Sequence, residues 1–159
     1  MDNSLADTFL RLSDPLYRYA YSRLGRKLEA EEAVQDVFLA VLKKPPKEMQ
    51  DSYLFQAVRN RCIDLQRRES REAKLNHDWI QVSELKPVDR DQWLDLQKFI
   101  PSLPDEQQEA LVLRSLCGLT LAEISYVQDV SVSTVASRHR YALEHLRRKM
   151  APENEEVRR

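Results

Sequence analysis

The sequence of residues 120–149 is TLAEISYVQDVSVSTVASRHRYALEHLRRK. Its first four residues form a Ser/Thr-x-x-Glu capping box, in which the hydroxyl and the carboxylate each satisfy a free amide at the start of a helix. That short helix runs out around residues 128–129, and Ser131 can cap a second helix that continues to the end of the stretch. Two capped helices separated by a tight turn are therefore predicted.

A short helix, a turn of about four residues and a longer basic helix are the layout of a helix-turn-helix. The second helix of this motif enters the major groove, where arginine donates two hydrogen bonds to guanine and Ser or Thr bonds phosphates or base edges. We expect the apolar side chains to face the core, namely Val135, Ala142, Leu143 and Leu146. The side chains left outside are Ser133, Thr134, Ser137, Arg138, Arg140 and Tyr141. The alternative, an ordinary helical hairpin, is disfavoured because the caps, the turn and the basic helix agree.

The composition of the whole chain also favours helices. Of 159 residues, 42% are apolar and 32% are charged, which excludes collagen-like, low-complexity and wholly disordered chains. Only 2 glycines are present, too few for the turns of a β-sandwich or for a glycine-rich nucleotide loop. No apolar run approaches the roughly 20 residues that span a bilayer, and the N-terminus lacks a secretory pattern. We predict an all-α, soluble, cytoplasmic protein with no membrane insertion.

Cysteine and histidine give no sign of a metal site. Cys62 and Cys117 form no CxxC pair, and the three histidines fit no zinc spacing. Both cysteines fall at apolar positions of predicted helices, so we expect buried packing thiols. No metal and no cofactor is predicted.

The first half of the chain shows three amphipathic helices. Apolar residues at intervals of three and four predict a helix over 3–24, ended by Gly25, and another over 29–43, stopped by Pro45-Pro46. A third helix is expected to begin near Asp51-Ser52. The predicted buried positions are Leu5, Phe9, Leu12, Leu16, Ala20 and Leu24, then Ala33, Val34, Val37, Phe38, Val41 and Leu42, then Leu54, Phe55, Val58, Cys62 and Leu65.

These elements predict two small helical domains joined by a flexible linker. The first domain covers residues 1–75, and residues 76–90, which lack a lasting period, form the linker. The second domain covers residues 91–150, in which Pro104 opens a helix that stops at Gly118. Residues 151–159 are predicted to be a disordered tail. A linker of this length allows both a packed and an open arrangement of the domains.

The net charge of −1 hides an alternation along the chain. Residues 59–74 carry six basic side chains against three acidic ones, and residues 131–150 carry five against one. Between them, residues 77–110 carry eight acidic side chains against three basic ones. Two basic patches suggest two contacts with one polyanion, although solvated helix faces explain the same runs. The acidic connector is also placed to shield the basic patches in the free protein.

Four phrases of the sequence resemble the extracytoplasmic-function sigma factors, the small two-domain specificity subunits of bacterial RNA polymerase. EAEEAVQDVFLAVL at 29–42 is similar to the family's A-E-D-x-V-Q-E-V-F-L, and YLFQAVRNRCIDLQRR at 53–68 to its W-L-F-x-I-A-R-N-x-x-x-D-x-x-R-R. LPDEQQEALVLRSLCGLTLAEI at 103–124 and VSVSTVASRHRYALEHLRRK at 130–149 resemble its L-P-x-x-x-R-x-x-x-L-x-x-x-x-G-x-S-x-x-E-I-A and I-S-x-x-T-V-x-S-R segments. The likeness spans nearly the whole chain, and its four phrases stand in the family's order.

The resemblance implies that the polar face of the second helix docks on the clamp helices of the polymerase's largest subunit. The matching positions here are Glu32, Gln35, Asp36, Phe38 and Leu39. As rim contacts, carboxylates steer association more than they strengthen it. Without the resemblance, a solvated helix face would explain the same pattern.

The resemblance also implies that the third helix reads the minus-ten promoter element and helps to melt it. The matching positions are Tyr53, Arg59, Asn60, Asp64, Arg67 and Arg68, with Tyr53 in place of the family's usual Trp. Arginines neutralise phosphates, Asn can bond an extruded base, and stacking on an aromatic ring gains about 1–3 kcal/mol. Core packing stays open for Tyr53, a packing amide for Asn60, and orientation of a neighbouring arginine for Asp64.

In the second domain, the resemblance implies that Thr134, Ser137, Arg138 and Arg140 read the minus-thirty-five element. The sequence departs from the family at the turn, where Gln128-Asp129 replaces the frequent Leu-Gly. The turn is then made without glycine's freedom, although Asp can adopt the left-handed conformation at some cost. Tyr141 and Leu143 replace basic residues, and so the promoter sequence itself is not predicted.

We interpret the chain as a sigma factor that binds core RNA polymerase, directs it to specific promoters and assists their melting, with no catalytic residues of its own. The resemblance implies a covering anti-sigma protein, and no residue identifies one. A stand-alone helix-turn-helix regulator is the alternative, but it leaves residues 29–42 and 59–68 without a role. A nuclease with a carboxylate-bound metal is disfavoured because Asp36, Asp64 and Glu69 show no metal spacing.

Overall fold

The computed structural model describes residues 5–69 and 99–150, and the regular elements in these ranges are all helical. The helices are α1 (Leu5–Leu24), α2 (Lys27–Lys43), α3 (Asp51–Glu69), a short 3-10 helix (Ile100–Ser102), α4 (Asp105–Ser115), α5 (Leu121–Gln128) and α6 (Val132–Met150). The predicted all-α class is confirmed. The predicted linker 76–90, residues 91–98 of the predicted second domain and the predicted tail 151–159 lie outside the described residues.

Helices α1, α2 and α3 pack on one another as a three-helix bundle. Gly25 ends α1 as predicted: it adopts φ 71° in the left-handed region, and its amide donates a hydrogen bond to the Tyr21 carbonyl at 2.8 Å. Helix α2 ends at Lys43, with one residue between it and Pro45-Pro46, because a proline lacks the amide that the next turn would need. The bundle core is formed by Leu16, Tyr19 and Leu24 of α1, Ala30, Ala33 and Val41 of α2, and Leu54, Phe55 and Val58 of α3.

The bundle does not cover the whole predicted apolar stripe. Phe9 is 42% exposed and Leu42 is 62% exposed, so their expected burial is wrong. The start of α3 is fixed beside Arg11, whose guanidinium donates two hydrogen bonds to the Asp51 carboxylate at 2.7 and 2.8 Å. The start of α1 and the end of α2 line an apolar groove with Phe9 and Leu42 in its wall, and no residue of α3 belongs to that lining.

The second half is a helix-turn-helix preceded by α4. The capping box is present, since the Glu123 amide donates to the Thr120 hydroxyl and the Thr120 amide donates to the Glu123 carboxylate, both at 3.1 Å. Asp129 makes the turn with φ 53°, as expected of an aspartate that replaces glycine. The Thr134 amide then donates to the Ser131 hydroxyl at 3.2 Å, which caps α6. Val135, Ala142 and Leu146 are buried as predicted, while Leu143 is half-buried.

The two halves of the chain contact each other. Helix α5 packs along α3, and α4 lies beside α1. Across this contact the Gln56 amide donates to the Tyr126 carbonyl at 3.0 Å, and the Cys117 thiol donates to the Pro15 carbonyl at 3.6 Å. Of the two arrangements that the linker length allows, the structure therefore shows the packed one.

The cysteines are packing residues with unreactive thiols. Cys62 is fully buried as expected, whereas Cys117 is half-buried and its thiol is turned toward the first half. Burial raises the pKa of each thiol to about 12. The thiolate that reacts with alkylating agents is therefore scarce at neutral pH while the halves stay packed.

The capping box gives a stability prediction. Replacing Thr120 with Ala removes the hydroxyl that accepts from the Glu123 amide, and we expect a loss of about 1 kcal/mol in the free energy of unfolding. Urea unfolding followed by circular dichroism measures it. Thr120→Ser keeps the hydroxyl and is the matched control. An equal loss in both variants would show that the threonine methyl group, and not the cap, carries the effect.

Candidate polymerase and nucleic-acid interfaces

The outer face of α2 presents three of the five predicted polymerase contacts directly. Glu32 and Gln35 are exposed, and Leu39 is 55% exposed. Phe38 is buried, and its ring meets the Phe9 ring edge-on at 4.8 Å between centroids. The Asp36 carboxylate accepts hydrogen bonds from the Arg61 guanidinium at 2.9 and 3.0 Å, so it points toward α3.

An apolar groove of about 620 Å³ lies between α1 and α2. It is lined by Leu5, Ala6, Phe9, Leu10, Gln35, Phe38, Leu39 and Leu42. Three predicted polymerase contacts, Gln35, Phe38 and Leu39, line this groove, so they belong to a mainly apolar surface rather than to a purely polar face. Monomeric soluble proteins rarely expose large contiguous apolar patches, and such patches mark interaction sites.

A second, more polar groove of about 470 Å³ separates α2 from α3. Its lining brings together three predicted minus-ten residues, Tyr53, Asn60 and Asp64, with Asp36 and Arg61 beside them. Asn60 and Asp64 are exposed and Tyr53 is half-buried, so this stripe of α3 can meet a ligand. The structure gives Arg61, which the sequence analysis did not select, a place in the same groove. Arg67 and Arg68 are exposed near the end of α3.

Arg59 does not share that stripe. Its guanidinium Nε donates to both oxygens of the Glu109 carboxylate, at 3.0 and 3.1 Å. Because Glu109 belongs to α4, this predicted minus-ten residue faces the second half of the chain. The six predicted minus-ten positions thus divide between two faces of α3.

Helix α6 presents most of its predicted minus-thirty-five residues to solvent. Ser133, Arg140 and Tyr141 are exposed, and the Arg140 guanidinium carbon lies 5.2 Å from the centre of the Tyr141 ring. Thr134 and Ser137 are half-buried. Arg138 is also half-buried, because its Nη1 donates to the Gln128 side-chain oxygen at 3.1 Å.

Glu109 is the centre of a buried polar cluster that the sequence analysis missed. We call Tyr19, Arg23, Arg59, Glu109 and Gln128 the Glu109 cluster. The Glu109 carboxylate accepts from the Tyr19 hydroxyl at 2.7 Å and from the Gln128 amide at 2.9 Å, and it lies 3.2 Å from Arg23 Nη1. Its side chain is only 1% exposed. A signal was present in the sequence: Glu109 lies one helical turn before Val112 and Leu113, on the apolar side of α4.

Opposing effects set the ionisation of this cluster. Burial alone raises the pKa of Glu109, but the positive charges of Arg23 and Arg59 and the hydrogen bonds from Tyr19 and Gln128 outweigh it, and the pKa lies below its ordinary value. Burial raises the pKa of Tyr19 well above its ordinary range, and the Glu109 charge adds to that effect. At neutral pH the cluster therefore holds a carboxylate, two guanidinium groups and a protonated phenol.

Within the part of the chain that the structure describes, no three His, Cys, Asp or Glu side chains are grouped so as to hold a metal ion. None of the helices over 5–69 and 99–150 is both long enough and apolar enough to cross a membrane.

Both halves of the chain match known families. Residues 8–72 match Sigma-70 region 2, and residues 99–148 match Sigma-70, region 4. The chain is 31% identical over 157 residues to the ECF RNA polymerase sigma factor SigE of Mycolicibacterium smegmatis, covering 91% of this chain and 61% of that protein. It is 32% identical over 133 residues to the ECF RNA polymerase sigma factor RpoE of Cereibacter sphaeroides, covering 77% of this chain and 73% of the relative.

Solved structures show the same fold. The sigma factor RpoE of Bartonella quintana, in complex with the anti-sigma factor NepR, superposes with a TM-score of 0.74 at 20% identity, covering 92% of this chain and 96% of that one. CnrH, in complex with the cytosolic domain of CnrY, gives 0.66 at 20% identity, covering 92% and 86%.

The two matched regions define a sigma-70 type transcription initiation factor. Given this and its relatives, the chain belongs to the ECF sigma factors of RNA polymerase. A stand-alone helix-turn-helix regulator is not favoured, because the region 2 match accounts for the first half of the chain.

The lowered pKa of Glu109 predicts a pH dependence. The carboxylate stabilises the packed chain fully above the ordinary Glu pKa of about 4.3, and this stabilisation is lost as the pH falls through the lowered value. Replacing Glu109 with Gln removes the anion that Arg23 and Arg59 share, and we expect a loss of about 1–3 kcal/mol at pH 7 because their charged hydrogen bonds are lost.

Urea unfolding of both proteins from pH 7 down to pH 3 tests this expectation. The other carboxylates titrate in both proteins, so the difference between the two free energies isolates Glu109. The difference should shrink as the pH falls below about 4.3. A difference that stays constant with pH would contradict an ionised Glu109 in the packed chain.

Proposed function

We propose that this chain binds core RNA polymerase through its first half, directs the polymerase to specific promoters and assists their melting. The observation that carries the proposal is the pairing of two surfaces in one chain. One is a capped helix-turn-helix with exposed arginine and hydroxyl side chains, and the other is a three-helix bundle with an open α2 face. The identified family supports both roles. The chain itself performs no catalysis, since the polymerase carries out phosphoryl transfer, and it works in the cytoplasm.

The two domains divide this work. Residues 1–75 form the polymerase-binding and minus-ten domain, residues 76–90 the connector, and residues 91–150 the minus-thirty-five domain. On α2, Glu32, Gln35 and Leu39 contact the clamp helices of the largest subunit directly, while Phe38 shapes the apolar groove and Asp36 orients Arg61. A carboxylate rim beside an apolar groove suits a helix that carries both basic and apolar side chains.

Promoter melting is assigned to the polar groove between α2 and α3. Tyr53 offers a ring on which a base can stack, and Asn60 offers an amide that can bond a base edge. Arg59, Arg67 and Arg68 contact phosphates, and Asp64 flanks the groove. On α6, Arg138 and Arg140 reach base edges or phosphates, with Ser133, Thr134, Ser137 and Tyr141 beside them.

An anti-sigma protein is a further proposed partner. The Bartonella quintana sigma factor and CnrH, which share this fold, were both solved with such a protein or a partner domain bound. The apolar groove and the contact between the two halves are the surfaces on which such a protein would act in this chain.

Polymerase binding is tested on the exposed α2 face. We expect Glu32→Arg to abolish co-elution of the chain with bacterial core RNA polymerase in gel filtration, because the new guanidinium meets a basic partner. Glu48→Arg, an equal charge change at an exposed residue between α2 and α3, should co-elute like the unmodified chain. Circular dichroism checks that both variants fold. If the folded, unmodified chain fails to co-elute, the proposed function is wrong.

Base recognition by Arg138 is tested on DNA. Promoters are first identified by sequencing run-off transcripts made from genomic fragments by the polymerase bound to this chain. Replacing Arg138 with Ala should then cost about 1–3 kcal/mol on the minus-thirty-five duplex and relax its specificity at one base pair. The cost is measured by fluorescence anisotropy at fixed salt. An equal loss on every DNA sequence would reduce Arg138 to a phosphate contact.

A further inference from the structure

The Glu109 cluster joins side chains from the two halves of the chain. Tyr19, Arg23 and Arg59 come from the three-helix bundle, and Glu109 and Gln128 come from α4 and α5. Every bond that the first three side chains make to Glu109 therefore crosses between the halves. Arg23 Nη1 also lies 3.1 Å from the Asp105 carboxylate, which adds an exposed ion pair at the edge of the contact.

The cluster also occupies an arginine that the proposed function assigns to promoter DNA. Arg59 Nε donates to both oxygens of the Glu109 carboxylate, at 3.0 and 3.1 Å. The Gln128 bonds to Glu109 and to Arg138, at 2.9 and 3.1 Å, lie within the second half. A carboxylate presents the same kind of charged acceptor as a phosphate, to which arginine binds by paired N–H groups. Glu109 therefore stands where a DNA phosphate would otherwise be held by Arg59.

We propose that Glu109 is a latch that keeps the free chain closed and competes with promoter phosphates for Arg59. This inference rests on the proposed function, because it takes Arg59 as a promoter contact. The partner of Arg59 in the free chain is thus Glu109 of the second half.

The distance between the two promoter elements shows why the latch must open. The minus-ten and minus-thirty-five elements are separated by about 25 base pairs, or roughly 85 Å at 3.4 Å per step. In the closed chain α3 contacts α5, the helix that packs against α6. The two DNA-binding helices, α3 and α6, therefore cannot reach both elements. Residues 70–98 can span about 100 Å when fully extended, which is enough for an opened chain.

The contact is of a kind that can open reversibly. Besides the cluster, the bonds described between the halves include the Gln56 amide to the Tyr126 carbonyl and the Cys117 thiol to the Pro15 carbonyl. On opening, the carboxylate and both guanidinium groups regain water together, so no charge is left buried and alone. Transient contacts between domains share this polar character.

The latch is one way in which acidic residues can shield a basic residue in the free protein, as the charge pattern of the sequence suggested. Glu109 and Asp105 lie at the end of the acidic stretch 77–110, and both contact arginines of the first half. Of these two carboxylates, Glu109 is buried and Asp105 is exposed.

The test compares Glu109→Gln with Glu106→Gln in the full chain. Glu106 is an exposed residue of the same helix, and its replacement removes the same charge. Binding to a fluorescein-labelled duplex of arbitrary sequence is followed by anisotropy between 50 and 200 mM salt. We expect Glu109→Gln to bind about tenfold more tightly at low salt, with a salt slope steeper by about 1 because one more phosphate contact forms. Glu106→Gln should change the affinity less than about twofold.

Opening is measured separately on the same proteins without DNA. Alkylation of Cys117 followed by mass spectrometry should speed up in Glu109→Gln, because its thiol lies against Pro15 only while the halves are packed. The radius of gyration from X-ray scattering should rise above the roughly 15 Å of a compact chain of this length. Equal DNA binding by the two variants, or unchanged Cys117 alkylation in Glu109→Gln, would overturn the latch.

A second, milder variant keeps the test decisive if Glu109→Gln fails to fold. Tyr19→Phe removes only the hydroxyl that donates to Glu109 and keeps the ring packed against Phe55. It should open the chain and raise DNA affinity in the same direction as Glu109→Gln, by a smaller factor; no change in either measurement would count against the latch.

The proposed function can fail independently of the latch, because neither measurement uses polymerase. A chain that opens as expected but never co-elutes with the polymerase would refute the sigma-factor role alone.

Discussion

A buried carboxylate is the constraint on which the packed structure depends. Glu109 is almost fully enclosed, and a charge in such a place must be paired and hydrogen-bonded or it would take up a proton. Among the bonds described for the Glu109 carboxylate, the second half of the chain supplies only the one from the Gln128 amide. The positive charges that neutralise the carboxylate come from Arg23 and Arg59 of the first half. The buried Glu109 and the contact between the halves therefore require each other.

This dependence sets the character of the contact between the halves. The attraction between buried charges is largely offset by the cost of removing them from water. Such a cluster therefore determines how the two halves are placed on each other more than it adds to the free energy of their association. Glu109 meets its partners in one relative placement of α1, α3 and α4 only, which fixes the register of the two halves. A contact built on apolar surface alone would tolerate sliding and would be harder to separate.

Most of the fold could be predicted because it depends on local sequence signals. The features that depend on tertiary contacts could not be predicted from the sequence. Three features depend on neighbours within a few residues and could therefore be predicted. They are the capping box at 120–123, the helix end at Gly25 and the left-handed conformation of Asp129. The exposure of Phe9 and Leu42 depends on how α1 and α2 pack, and the role of Glu109 depends on side chains 50 to 90 positions away. Asp36 and Arg59 were selected by resemblance, and the structure adds the intramolecular partner of each.

The placement of the proposed surfaces implies an order of events in the sigma-factor cycle. Glu32, Gln35 and Leu39 stay exposed while the halves are packed, so polymerase can engage α2 without any rearrangement. Arg59 is bonded to Glu109 in the same state, so full promoter contact by α3 requires separation of the halves. A polymerase that binds the first half and draws the second away along its own surface would release Arg59. Promoter reading would then follow polymerase binding as a consequence of where the charges lie.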